Sequence, residues 1–346
     1  MLCNGGRRDR NVPPAHRRAR GRFRKTVSTP LINEEEPADR SQQLAPPERP
    51  PHGPLVIAAA ALEGMRPYQW LKNALVFVPF IAARRLGEPG HLITATAIFI
   101  AFNLCASAIY LINDLKDAQA DRAHPHKKTR PIASGRLPRS VALAIVPLLL
   151  VAGLWMAVSV DVRVAAVLLF YAVLMVTYSM SLKAIVLLDA LVLAAGYALR
   201  IAAGSVAVDS RPAPQLLAFF VFVFFSLAMV KRYAELSLLR CAGVATAPAR
   251  GYGTKDSELV LVLGGSSGML AVLVLALFLN GEKLGQSYAH SAAGWGAAVL
   301  LLYWISYMWL NAHRGKMTDD PLVFAVKDRV SLTLVALTIA AAWFAL

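Results

Sequence analysis

The sequence predicts an all-α, polytopic membrane protein in which nine transmembrane helices surround a cavity open to the cytoplasm. The chain has 346 residues, of which 57% are hydrophobic and only 16% are charged. Soluble domains carry about 25% charged residues, whereas the apolar residues here lie in blocks near the ~20 residues that span a bilayer. Three scattered cysteines without paired spacing predict neither a disulfide framework nor a zinc site.

The first 52 residues differ in composition from the rest of the chain. Residues 1–52 are rich in Arg, Pro and Glu, so we predict a disordered cytoplasmic tail followed by one integral membrane domain over 53–346. The first apolar stretch starts near Leu55, so no cleavable signal peptide is expected. The net charge of +15 fits anionic headgroups and phosphorylated substrates, so membrane lipids rather than nucleic acid are the expected partners.

A short helix over 55–66 is predicted to lie at the membrane interface, and nine apolar segments follow it. The first of these is short for a membrane span. The predicted segments are 68–83, 92–114, 138–158, 163–181, 185–207, 213–232, 257–279, 291–311 and 328–346.

The distribution of Lys and Arg between loops predicts the orientation. These residues are concentrated in loops 115–137, 182–184, 233–256 and 312–327, together with the helix ends beside them. Because cytoplasmic loops of membrane proteins carry the excess of positive charge, we expect a cytoplasmic N-terminus and an external C-terminus. The protein is then a multi-pass protein of the plasma membrane, with its polar site on the cytoplasmic side.

An acidic stretch at the end of the second apolar segment is the strongest candidate site. Asn113, Asp117 and Asp121 recur every four residues, so on a helix they share one face, with Asp114 beside them. Carboxylate and amide oxygens favour a hard cation, which predicts a Mg²⁺ site and a catalytic role for the three aspartates. A solvated helix end with mixed charges is the simpler alternative.

A basic cluster follows directly. Lys127, Lys128 and Arg130 precede a predicted turn over Pro131–Gly135, and these cations suit phosphate oxygens that a metal leaves free. His124 and His126 lie in the same loop and have at most an electrostatic role.

Further polar residues lie at the inner ends of apolar segments, where they are costly unless used. Each has a simpler explanation, because Lys and Arg often extend to headgroups and because Asp189 and Arg200 can neutralise each other within the bundle. Lys231 and Glu235 are one turn apart and are expected to face the same way. The candidate substrate-binding residues of this group are Lys72, Asn73, Tyr178, Lys183, Asp189, Arg200, Lys231, Arg232 and Glu235.

The motifs at 113–121 (Asn-Asp-x-x-Asp-x-x-x-Asp) and 128–135 (Lys-x-Arg-Pro-x-x-x-Gly) resemble those of the UbiA-type prenyltransferase superfamily, over about residues 60–346. The resemblance implies a UbiA-like helical bundle and a Mg²⁺-dependent membrane transferase. Members that use prenyl diphosphates carry a second Asp-rich motif after the sixth segment. Here that position has Lys231, Arg232 and Glu235.

Five other stretches are similar to the decaprenyl-phosphate phosphoribosyltransferase branch: RPYQWLKN (66–73), YSMSLKAIVLLD (178–189), GYALRIAAG (196–204), KRYAEL (231–236) and DPLVFAVKDR (320–329). This resemblance implies transfer of ribose 5-phosphate from 5-phosphoribosyl diphosphate (PRPP) to decaprenyl or another polyprenyl phosphate. It further implies a role in supplying the lipid-linked arabinose donor for cell-wall arabinan.

Two other functions stay open at this point. One is a quinone-type or other aromatic prenyltransferase of the same superfamily, against which the replaced second motif argues. The other is a transporter or channel, but the polar residues gather at one membrane face and no internal repeat is evident. The length of the polyprenyl chain and homo-oligomer formation are not predicted.

Overall fold

A computed structural model describes residues 53–85, 87–123, 127–209, 214–245, 251–280, 288–317 and 320–345. Within these ranges every regular element is a helix, which confirms the all-α class. The predicted tail over 1–52 lies outside the described residues, as do His124 and His126, so those expectations stay predictions.

Eleven α-helices and one long 3₁₀ helix make up the described bundle. The 3₁₀ helix covers Pro67–Phe77 and lies between the first two α-helices. The α-helices are α1 (Pro54–Met65), α2 (Val78–Ala82), α3 (Pro89–Ala123), α4 (Arg139–Val160), α5 (Val162–Met180), α6 (Leu188–Ala207), α7 (Pro214–Cys241), α8 (Ser257–Leu279), α9 (Tyr288–His313), α10 (Pro321–Lys327) and α11 (Arg329–Ala345).

Seven described helices, α3 to α9, are long and apolar enough to cross a membrane. They correspond to the second to eighth predicted segments. The first predicted segment is instead a 3₁₀ helix followed by α2, and the ninth is the 17-residue α11. A 3₁₀ helix rises about 2.0 Å per residue, so 67–82 is about 30 Å long, close to the thickness of a bilayer core. The count of nine spans stays a prediction.

The 3₁₀ helix sorts its side chains into two faces because it repeats every three residues. Trp70, Asn73 and Val76 face the bundle: Trp70 Nε1 donates to Ser107 Oγ at 3.1 Å, and Asn73 and Val76 are buried. Gln69 and Lys72 instead line a large cavity on the other side. The helix also packs closely on α6, because a Cβ at Gly204 would collide with the carbonyl oxygen of Val76.

Three apolar clusters hold the bundle together. One joins α7, α8, α9 and α11, a second joins the 3₁₀ helix, α5, α6 and the first half of α3, and a third joins α1, α4 and the second half of α3. The long helix α3 therefore belongs to two clusters. Its second half brings the acidic stretch to the end of the bundle where α5 ends and α6 begins.

Candidate active site

The acidic residues lie on α3, which runs without interruption to Ala123 and confirms the predicted helix. Asp114 and Asp121 are each only 3% exposed, while Asp117 is partly exposed. Buried carboxylates need compensating charge, so the residues around them decide what the site can do.

Two arginines supply that charge. Arg66 Nη2 lies 2.5 Å from Asp114 Oδ1, and Arg130 Nη1 lies 3.2 Å from the same oxygen and 2.7 Å from Asp121 Oδ2. The Arg66 guanidinium also lies over the ring of Tyr110, 5.1 Å from its centroid. Arg130 was predicted as a site residue. Arg66 was not, although it opens the RPYQWLKN stretch, and its φ of 56° is an unusual conformation for a residue other than glycine.

The predicted turn after Arg130 is confirmed and explains how this side chain reaches α3. The N–H of Ser134 donates to the Arg130 carbonyl at 2.8 Å, and the N–H of Leu137 donates to that of Pro131 at 2.9 Å. Gly135 has a φ of 83°, which favours glycine. Arg136 fixes the turn to α1 through a bidentate pair with Glu63 at 2.7 and 2.9 Å. The chain thus returns and places Arg130 against the two aspartates.

Lys127 and Lys128 precede Arg130 in the chain. They form a short 3₁₀ helix, Lys127–Thr129, and both are exposed. Arg130 is a cation of this stretch that the structure pairs with Asp114 and Asp121.

Asp117 pairs with the loop between α5 and α6. Lys183 Nζ lies 3.3 Å from Asp117 Oδ2. The neighbouring Lys116 holds this loop in place, because its ammonium group donates to the carbonyls of Ser179 and Met180, at 2.8 and 2.9 Å, at the end of α5. A cation at a helix C-terminus stabilises carbonyls that lack partners within the helix.

The oxygen groups of α3 fit a hard divalent cation. The Oδ1 atom of Asn113 is buried and has no hydrogen-bond partner among the described residues, which is costly unless a ligand supplies one. However, no three acidic, histidine or cysteine side chains in the described ranges already converge on a common metal position. Arginine or lysine side chains pair with all three carboxylates instead. Asn113, Asp114, Asp117 and Asp121 stay the predicted metal ligands.

A second charged cluster, buried between α6 and α7, contains Asp189 and Arg232. Arg232 Nε donates to Asp189 Oδ2 at 2.8 Å, and Arg232 Nη1 donates to Glu235 at 2.5 Å. The hydroxyl of Tyr252 donates to Asp189 Oδ1 at 2.7 Å and accepts the N–H of Leu187 at 2.9 Å. Burial raises the pKa of Tyr252, so its hydroxyl stays protonated and keeps donating. Sequence reasoning missed Tyr252.

This cluster excludes the simpler alternative, in which Asp189 and Arg200 neutralise each other. Eleven helical residues return to the same face but separate the two side chains by about 16 Å along the axis. Arg200 instead donates to Asn73 Oδ1 at 2.6 Å and to the Tyr171 hydroxyl at 2.9 Å, while Asn73 donates to Asn103 at 2.6 Å. Among the described residues Arg200 forms no ion pair with a carboxylate.

Tyr178 lies beside the cluster of Asp189 and Arg232. It is partly buried and close enough to Asp189, Arg232 and Glu235 for electrostatic interaction. The structure therefore brings four predicted residues together here: Tyr178, Asp189, Arg232 and Glu235.

A third cluster joins two predicted lysines through Asp320. Asp320 Oδ2 lies 3.4 Å from Lys72 Nζ and 3.3 Å from Lys231 Nζ, and Asp320 Oδ1 caps α10 by accepting the N–H of Leu322. Burial raises the pKa of Asp320, but the two ammonium groups and this N–H outweigh it and hold the pKa below its ordinary value. Lys231 thus pairs with Asp320. Lys231 and Glu235 are one turn apart on the continuous helix α7, as predicted, but Glu235 pairs with Arg232.

A cavity of about 960 Å³ adjoins this third cluster. The 3₁₀ helix, α7, α9, α10 and α11 all contribute to its wall, which is mainly apolar and includes Phe219, Phe220, Phe224, Leu301 and Trp304. Its charged lining residues are Lys72, Asp320 and Lys327. The cavity therefore has a long apolar wall and, at one place, the ammonium groups of Lys72 and Lys231 around Asp320. This combination suits a lipid that carries a phosphate.

The sequence is similar to several known proteins. The chain is 36% identical to the nodulation protein NoeC of Azorhizobium caulinodans, over 79% of this chain and 89% of that protein. It is also 36% identical to an uncharacterized protein, y4nM, of Sinorhizobium fredii, over 80% of this chain but only 54% of that longer protein. It is 30% identical to the decaprenyl-phosphate phosphoribosyltransferase of Mycolicibacterium smegmatis, over 84% of this chain and 92% of that protein.

A solved structure shows the same fold. It is a UbiA homolog from Archaeoglobus fulgidus bound to GPP and Mg²⁺, with a TM-score of 0.60 and 16% identity, over 82% of this chain and 99% of that one. The profile of the UbiA prenyltransferase family matches residues 74–326, which include α3, α7 and their charged residues. The helical bundle and the sequence matches lead to one conclusion: the chain is a transferase that belongs to the UbiA prenyltransferase family.

Proposed function

We propose that the chain transfers the 5-phosphoribosyl group of PRPP to decaprenyl phosphate, or another polyprenyl phosphate, and releases diphosphate. The observation that carries the proposal is the charge of α7. Where a second Asp-rich motif would bind another metal, this helix offers Lys231 and Arg232. PRPP has a diphosphate and a separate 5-phosphate, so it suits one metal site and several cations.

The donor is expected to bind between α3 and the loops that pair with it. When bound by Asn113, Asp114, Asp117 and Asp121, Mg²⁺ supplies a positive charge that offsets the negative charge of the leaving diphosphate. Arg66, Arg130 and Lys183 already lie at these carboxylates and are placed to donate to phosphate oxygens. Their guanidinium and ammonium groups orient the diphosphate for departure from the anomeric carbon.

The acceptor is expected to bind in the 960 Å³ cavity, with its phosphate near Lys72 and Lys231 and its chain along the apolar wall. A phosphate oxygen attacks the anomeric carbon of the ribose and forms a new C–O bond. The old C–O bond breaks, and the diphosphate leaves with its electron pair. Because the attacking phosphate is already an anion, the reaction needs no strong general base.

The remaining predictions complete this proposal. The site faces the cytoplasm at the plasma membrane, the C-terminus is external, and the product serves the lipid-linked arabinose donor for cell-wall arabinan. Residues 53–346 form the transferase domain and 1–52 a cytoplasmic tail. The exposed Lys127 and Lys128 are expected to contact the donor phosphates during its entry.

A direct assay tests the proposal. Purified protein in detergent is incubated with radiolabelled PRPP and decaprenyl phosphate, with and without Mg²⁺, and the lipid fraction is counted. We expect Mg²⁺-dependent label in the lipid. In parallel, PRPP with Mg²⁺ should raise the melting temperature, because a ligand that binds only the folded state stabilises it.

The alternative is a prenyl-diphosphate donor, as in the Archaeoglobus fulgidus homolog bound to GPP. The same experiment decides between the two functions. Thermal protection by geranyl or farnesyl diphosphate, without protection by PRPP and without labelled lipid, would overturn the phosphoribosyl proposal and favour an aromatic or quinone-type prenyltransferase.

A further inference from the structure

Each of the three carboxylates on the acidic face of α3 is paired with a basic side chain. Asp114 takes Arg66 and Arg130, Asp121 takes Arg130, and Asp117 takes Lys183. A divalent cation that binds these carboxylates must therefore displace side chains that already hold the same oxygens. Metal and arginine compete for one set of atoms.

The geometry points to Arg66 and Arg130 as exchangeable counter-ions, an inference that rests on the proposed function. In the ligand-free protein their guanidinium groups neutralise Asp114 and Asp121. When the donor binds, the guanidinium groups transfer to its diphosphate and the divalent cation takes the carboxylates. Cation and diphosphate therefore bind as a pair, and neither binds tightly alone.

The burial of the acids supports an exchange over a simple addition. Asp114 and Asp121 are each 3% exposed, so removing a guanidinium without replacing its charge leaves a buried anion, which is strongly unfavourable. The cation supplies the replacement charge on the protein side. The diphosphate in turn gives the displaced arginines new anionic partners with the oxygen geometry that guanidinium prefers.

Arg130 is well placed to move, because its side chain is 29% exposed and it comes from a loop, whereas the aspartates are fixed on α3. Arg66 lies between α1 and the 3₁₀ helix, and its guanidinium group lies over the ring of Tyr110. In the proposed exchange, its side chain rotates from Asp114 to the diphosphate while its backbone stays in place. The orphaned Oδ1 of Asn113 gives the incoming cation one more oxygen that no protein group uses among the described residues.

Binding of Mn²⁺ alone tests the exchange. Free Mn²⁺ is measured by electron paramagnetic resonance with the purified full chain and no diphosphate. Arg130→Gln and Arg66→Gln should each bind Mn²⁺ on the order of tenfold more tightly than the wild type, because a competing charged hydrogen bond is gone. Arg139→Gln is the matched control: it also removes one positive charge, but Arg139 is exposed at the start of α4 and should leave Mn²⁺ affinity unchanged.

A second arm measures the coupling. Addition of PRPP should tighten Mn²⁺ binding in the wild type and in Arg139→Gln, after correction for Mn²⁺ held by free PRPP. The gain should shrink in Arg66→Gln and Arg130→Gln, since these variants have lost a group that receives the diphosphate. Circular dichroism and gel filtration establish that each variant is folded. If one of the two arginine variants does not fold, the other still tests the exchange.

The outcomes separate this inference from the proposed function. Unchanged or weaker Mn²⁺ binding in both folded arginine variants would overturn the exchange, because the arginines would then be a fixed part of the site. Tighter Mn²⁺ binding with no response of any protein to PRPP would keep the exchange and overturn the choice of donor.

Discussion

Helices α3 and α7 carry opposite charge, and each is neutralised by residues of the other sign from elsewhere in the chain. In α3 the helix supplies the acids, and loops bring Arg66, Arg130 and Lys183 to them. In α7 the helix supplies the bases, and Asp189 of α6 and Asp320 before α10 come to Arg232 and Lys231. On both helices, the charged side chains form ion pairs with side chains from other parts of the bundle.

The difference lies in what each helix offers a ligand once a partner is displaced. On α3 the exposed groups are oxygens, which take a cation and, through it, a diphosphate. On α7 they are ammonium and guanidinium groups, which bind phosphate oxygens directly. The two kinds of phosphate contact can therefore be tested separately by changing one helix at a time.

The largest expected effect comes from the acidic helix. Asp114→Asn removes a charge that the cation needs, so turnover should fall by about a hundredfold or more, as it does when comparable electrostatic groups are removed. Asp117→Ala and Asp121→Ala should act alike. Initial rates of lipid labelling provide the measurement. A variant with near-normal Mg²⁺-dependent activity would remove that residue from the site.

Next in size is the difference between the two adjacent cations of α7. Arg232 is 2% exposed, so Arg232→Ala removes the positive charge that pairs with the buried Asp189 and should lower the free energy of unfolding by about 3–5 kcal/mol. Lys231 is partly exposed, so Lys231→Ala should change the free energy of unfolding by less than about 1 kcal/mol. It should raise the Michaelis constant for the polyprenyl phosphate, whose phosphate is proposed to bind near Lys231. Denaturant unfolding in micelles compares them. Equal loss of stability in both variants would contradict this distinction.

A smaller effect is expected at Tyr252, whose hydroxyl joins Asp189 to the loop that carries Lys183. Tyr252→Phe removes both hydrogen bonds, so the Michaelis constant for PRPP should rise by about three- to tenfold. Tyr303→Phe, at an exposed position of α9, is the control and should behave as the wild type. An unchanged Michaelis constant in Tyr252→Phe would show that the loop keeps its position without this hydroxyl.

The smallest effect concerns pH. The pKa of Asp320 is lowered, so its stabilising contribution is present above the ordinary aspartate pKa of about 4 and is lost as the pH falls through the lower folded value. The difference in melting temperature between the wild type and Asp320→Asn should thus be constant from about pH 5 to 8 and shrink below about pH 4. A difference that vanished near neutral pH would contradict the lowered pKa.

The sequence predicted the acidic face of α3 well, because helical periodicity alone fixes which side chains share a face. It did not predict Arg66, Tyr252 or Asp320 as partners, since their positions depend on a turn, a loop and the packing of distant helices. The simpler alternative, a pair of Asp189 and Arg200, is excluded for a related reason. Periodicity gave the shared face but ignored the distance along the axis, so closer partners on α7 and the 3₁₀ helix were missed.

In the 3₁₀ helix, the number of residues between two positions decides which contacts their side chains make. Each residue turns this helix by about 120°, so deleting one residue before Lys72 would turn every later side chain of the helix onto a neighbouring face. Asn73 would turn away from Arg200 and Val76 would leave the core in a single step, whereas a substitution affects one contact at a time. Among related sequences, this segment should therefore vary in composition but keep its length, and insertions should accumulate on either side of it.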